Sequence, residues 1–120
     1  VAVKSFHIED LLSVYTHILL SKSGFDAVYV FLNHMTQDDL FTHQLLLAGP
    51  IMEPELLRQF PWLDEVKVPE FTGKESVFAF VDKMAAKYGE FHEVESAEHL
   101  WVGHDVVSDM LQVMKGRDAQ

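Results

Sequence analysis

NHMTQDDLFTHQLL, residues 33–46, is the stretch whose reading decides how the first half of this chain folds. It gathers two histidines, two adjacent aspartates, two threonines and an aromatic residue. From Asp38 to Leu47 the apolar residues Leu40, Phe41, Leu45, Leu46 and Leu47 suit one broad buried face of a helix. Thr36, with Asp39 three residues later, reads as the start of that helix. The Thr oxygen would accept a free backbone N–H, and Asp38 and Asp39 would meet the positive end of the dipole. His43 lies four residues after Asp39, on the same side of a helix, so an Asp39–His43 pair is expected to be within reach. His34 sits just upstream. Asp38, Asp39, His43 and His34 are therefore candidate binding residues, a His/Asp cluster at a helix N-terminus. The plainer alternative is capping plus packing, with Phe41 in the core.

Upstream, Ile8, Leu11, Leu12, Tyr15 and Leu19 fall on one helical face, predicting a helix over 8–20 capped by Ser5. Ser23-x-x-Asp26 starts a second helix that runs to Met35, with Phe25, Val28, Phe31, Leu32 and Met35 as its face. Downstream, Ala48-Gly49-Pro50 is expected to stop the central helix, and a shorter one follows over 51–59. Val66–Phe71 alternates but contains Pro69, so it reads as an extended connector or an edge strand. Thr72-Gly73-Lys74-Glu75 is a capping box opening a helix over 73–88, closed by Gly89. Phe91–Glu95 alternates and can pair with the N-terminal segment or with 66–71. Asp105–Lys115 reads as a last helix, with Val106, Val107, Met110, Leu111 and Met114 apolar, ended by Gly116. The expected fold class is mainly α: a single compact domain over 1–120 with five to six helices and room for a small two- or three-stranded β element. Residues 1–5 and 116–120 are expected to fray.

Composition narrows the function. Nineteen acids against nine bases give a formal charge of −10. No Lys or Arg occurs from 23 to 57 or from 88 to 114, and the second gap holds Glu93, Glu95 and Glu98, further candidate binding residues. Such a field argues against direct nucleic-acid binding, which needs cations to replace phosphate counterions, and suits a partner with a basic surface. No cysteine is present, which removes disulfides, thiolate zinc sites and thiol catalysis. No apolar run is long enough to cross a membrane. Glu9 and Asp10 interrupt any signal-like segment, so the expected location is the cytoplasm.

Two strings carry a resemblance. IEDLLSVYTHILLS and HMTQDDLFTHQLLLA resemble a family of small uncharacterised bacteriophage and prophage proteins that share a helical LSV-T-LL start and an MTGD-LFTHQL core. The residues that match are Leu12, Ser13, Val14, Thr16, Leu19 and Leu20, then Met35, Thr36, Asp38 and Leu40 through Leu45. Gln37 stands where the family pattern has Gly, and Leu46-Leu47 stand where it has Pro and a basic residue. The resemblance implies a phage context, and with it the cytoplasm of a bacterial host cell as the location, and supplies no catalytic residues.

His92, His99 and His104 are weak metal candidates. They are spaced seven and five apart, without the helical HxxxH or HExxH pattern. No cofactor motif, P-loop or nucleophile elbow is present. The sequence therefore leads to a small acidic protein-binding module that engages or inhibits a host or defence protein through acidic patches. The alternatives are a structural or assembly homodimer and, behind it, a metal-dependent enzyme using the His/Asp cluster.

Overall fold

A computed structural model describes residues 1–22 and 24–118; the expected cap Ser23, and residues 119–120 of the end expected to fray, lie outside them. The order is β1 (Val3–His7), α1 (Ile8–Thr16), α2 (Phe25–Thr36), α3 (Thr42–Gln59), a 3-10 turn (Pro61–Glu65), α4 (Lys74–Tyr88), β2 (Phe91–Glu95), a 3-10 turn (Glu98–Leu100) and α5 (Val106–Asp118). The fold is mainly helical, as expected, with one small sheet. β1 and β2 pair antiparallel, Val3 opposite Glu95 through His7 opposite Phe91. Residues 3–5, expected to fray, are thus tied into the sheet. The inner face of the sheet places Phe6 and Val94 in the core, with the Phe6 ring 4.8 Å from that of Phe31.

The chain leaves β1 directly into α1, so Ser5 is a strand residue and His7 is the cap. Its Nδ1 accepts the Glu9 N–H at 3.1 Å. α1 stops at Thr16, four residues short of the periodic pattern. His17 turns left-handed (φ 61°), Thr16 Oγ1 accepts the Ile18 N–H, and Ser13 Oγ accepts that of Leu20. These hydroxyls give the unwound backbone partners that a further helical turn would otherwise supply.

The 33–46 stretch departs furthest from its sequence pattern. α2 continues through Thr36, whose hydroxyl donates back to Leu32 O instead of capping a new helix. Gln37 then takes a left-handed conformation (φ 53°). Asn33 receives the returning chain, with its backbone oxygen accepting Asp38 N–H and its side-chain oxygen accepting Leu40 N–H. α3 begins only at Thr42, after Phe41. Gln44 closes this start reciprocally: its N–H donates to Phe41 O and its Oε1 accepts the Phe41 N–H, both at 2.9 Å. Phe41 is therefore 56% exposed and not in the core.

α3 also runs straight through Gly49-Pro50 and Pro54 as one 18-residue helix. Each interior proline removes a helical hydrogen bond and costs about 3 kcal/mol. Ala48, Met52 and Leu56 are fully buried on the opposite side, and burying a Met or Leu returns roughly 1.5–3 kcal/mol each. Both prolines face solvent, where the lost bonds are least damaging. α1, α2 and α5 all pack on α3, making it the central element. α4 opens as expected, but Ser76 caps it, accepting the Thr72 and Gly73 N–H groups. Residues 66–71 are an extended connector, and α5 runs through Gly116.

Candidate functional site

The polar side chains of 33–46 point to the second half of the chain. His34 is buried and donates from Nε2 to Val94 O at 2.7 Å, while the Met35 carbonyl accepts the Ala97 N–H. These two bonds dock β2 and its exit on α2. Asp38 accepts the Trp101 Nε1–H at 3.1 Å. His43 donates from Nε2 to Val106 O at 2.9 Å, and Gln44 donates from Nε2 to Asp109 Oδ2 at 3.0 Å. The other Asp109 oxygen takes the His104 Nδ1–H at 2.8 Å, and the His104 ring stacks on Trp101 at 3.7 Å. A continuous polar chain thus links the 38–41 loop, the 3-10 turn and the first turns of α5.

The expected cluster does not form as a site. Asp39 is exposed, precedes α3 and makes no bond to His43, because the helix starts five residues later than the capping pattern implies. Asp38, His34 and His43 are each engaged with a group of the second half. Gln44, Trp101 and Asp109 complete the arrangement and escaped the sequence reading. Asp109 is the one that left a signal, a lone acid inside an apolar helical run, and it is only 3% exposed. His104–Asp109 has the form of a base held by a carboxylate, but among the described residues no Ser or Thr hydroxyl bonds to His104, so the pair has no nucleophile to activate. Its partners make it a tether.

The histidine metal candidates are dispersed. His92 donates to Gly89 O and packs between the Phe60 and Trp62 rings, His99 is exposed, and His104 belongs to the tether. Among the described residues, no three His, Asp or Glu side chains converge on a position that could hold an ion.

The candidate acids do meet on one surface. Glu93 and Glu95 alternate with buried Val94, so both lie on the outer face of β2, opposite Ser5 and Val3. That face borders a depression of about 390 Å³ lined by Val3, Arg58, Gln59, Phe60, Glu93 and Glu95. Arg58 is claimed mainly by Glu55, through two bonds of 2.7 and 2.8 Å, and reaches Glu95 only at 3.9 Å. The Arg58 hydrogen bond holds the Glu55 carboxyl below the usual range. Gln59 covers the strand edge at Glu95, accepting its N–H and donating to its carbonyl, both at 2.9 Å. This blocks further strand pairing there and leaves the side-chain face as the usable surface. Glu98, nearer the core, is half-buried and accepts the Ser96 hydroxyl at 3.0 Å. A separate groove of about 300 Å³, between α1, α2 and α3, is lined mostly by apolar residues, including Ile18, Leu19, Phe25 and Leu46. No helix is long and apolar enough to cross a membrane among the described residues.

No curated protein and no solved structure matches the chain. A family match does cover β1 from Phe6 onward, α1, α2, all of α3 and the 3-10 turn after it, and so includes the 33–46 stretch but not its partners Trp101, His104 and Asp109. Residues 6–66, just over half of the sequence, match the family described as Domain of unknown function (DUF7736), and the chain belongs to that family.

Proposed function

We propose that this domain is a phage-type protein-binding module that engages, and in doing so inhibits, a bacterial host or defence protein carrying a basic surface. The observation that carries the reading is the outer face of β2. Two carboxylates two residues apart, about 7 Å along the strand, stand beside exposed Val3 and Phe91 over a depression whose one cation is already held by Glu55. Lys or Arg side chains of a partner would find acceptors there, and the apolar neighbours would supply contact area. Chemistry has less support, because the histidines and aspartate that looked most like a site are used in tethering the two halves of the chain.

The test is affinity capture from nuclease-treated bacterial lysate, using the wild-type chain and an E93K/E95K variant as bait. The expected result is a host protein that wild type retains at low salt, releases at high salt, and that the variant does not retain. Both substitutions sit on exposed positions, so the fold should survive them. Equal retention by both baits, or no retained protein, would overturn the reading.

A further inference from the structure

α5 is mounted with its apolar stripe facing outward. Val107, Met110, Leu111 and Met114 follow i, i+3, i+4, i+7 spacing and occupy one face about 100° wide. They are 68%, 44%, 61% and 53% exposed. The helix is held from its other side, where Asp109 is buried and Val106 and Val113 are half-buried. Gln44 and His43 grip that side from α3. Four large apolar side chains on one helix face thus lie in water.

We propose that this stripe is a homodimer interface, in which α5 packs antiparallel against α5 of a second copy. Three features choose that occupant. The first is self-complementarity. A two-fold axis through the middle of the stripe sets Val107 beside Met114 of the second copy and Met110 beside Leu111, so each side chain meets an apolar one. The second is charge. Two copies at formal −10 repel, yet between Asp105 and Lys115 the only charged side chain of α5 is Asp109, which is buried. This is a surface where like-charged copies meet with little penalty. The third is polarity along the axis. Asp105, exposed at the N-terminal end and capping the Ser108 N–H, comes near Lys115 at the opposite end of the second copy, and the two helix dipoles oppose. A parallel arrangement would set like ends together. The surface is separate from Glu93 and Glu95, so it stands or falls independently of the acidic-face reading.

Sedimentation velocity of the full chain over a concentration series tests it. The expected result is a monomer–dimer equilibrium in the micromolar range, weakened about tenfold or more by Leu111→Glu. Circular dichroism of that variant should match wild type, since Leu111 is exposed. The chain has no cysteine, so single cysteines report geometry without alteration of the rest. Mixing a V107C sample with an M114C sample under oxidation should give the mixed disulfide in preference to either homodisulfide. A chain that stays monomeric throughout overturns the proposal. So does a dimer that survives Leu111→Glu, or a preference for V107C pairing with itself. None of these results touches the lysate capture by Glu93 and Glu95.

Discussion

Gln44 uses both ends of its side-chain amide: Oε1 closes the first turn of α3 and Nε2 holds Asp109 of α5. Gln44→Ala should therefore cost about 2–3 kcal/mol in urea unfolding, since a cap and a buried bond are lost together. Asp109→Ala should cost a similar amount, and a double-mutant cycle should show coupling of about 1 kcal/mol between them. Additive effects would mean that the bond contributes nothing. Phe41→Ala, four positions away from Leu45 but outside the core, should cost under about 1 kcal/mol. Gln37 holds a left-handed conformation, which glycine adopts at less cost. Gln37→Gly should raise stability by roughly 0.5–1 kcal/mol, the relief of the left-handed strain less the loss of one bond to His34 O. Asp10 supplies a pH signature. Burial pushes its carboxyl above the ordinary aspartate range, with the Glu9 charge adding to it. A raised folded-state value means that its favourable contribution is complete only below the unfolded value and is lost as pH rises through the folded one. Asp10→Asn should thus be more stable than wild type at pH 7, and that advantage should shrink as pH falls into the ordinary carboxyl range. An advantage constant with pH would place the cause elsewhere.

Elements show where sequence reasoning reaches and where it stops. α4 is legible because its signal is local, a turn residue at each end, whereas the sequence marks 91–95 as a strand but leaves its partner open between the N-terminal segment and 66–71. The 33–46 stretch misleads because two local codes compete. Thr36-x-x-Asp39 has the form of a helix start, but Asn33 gives the returning backbone two better-placed acceptors, and the start moves to Thr42. Gly49-Pro50 misleads for a different reason. Its outcome is set by what Ala48, Met52 and Leu56 bury against, which no window around the proline contains. α5 inverts the usual rule that an apolar stripe faces inward, because Asp109, His43 and Gln44 fix the helix by its opposite side. The candidate site was half legible: the right stretch, Asp38, His34 and His43 in contact with other groups, but roles in tethering that depend on residues some 60 positions away. Pro50→Ala restores a helical N–H on a solvent-facing position and should stabilise the protein by about 2 kcal/mol, the interior-proline cost less the entropy that Pro removes from the unfolded chain. Destabilisation would show instead that the proline shapes the curvature α1 and α2 pack against.

For the whole molecule the controlling quantity is charge. Acids outnumber bases by ten over 120 residues, and the bases are absent from two long segments. Glu55 is matched locally by Arg58, but the Arg58 end of this pair is exposed and the pair contributes little. Net self-repulsion therefore outweighs pairwise attraction, and salt should stabilise. Raising sodium chloride from about 0.01 to 0.3 M shortens the screening length from roughly 30 Å to under 10 Å, from the span of the domain to the distance between neighbouring charges. The melting temperature at pH 7.5 should rise by a few degrees over that range. A fall in melting temperature with salt would invert the assignment and make the surface ion pairs, with Arg58 at their centre, the dominant electrostatic feature of the fold.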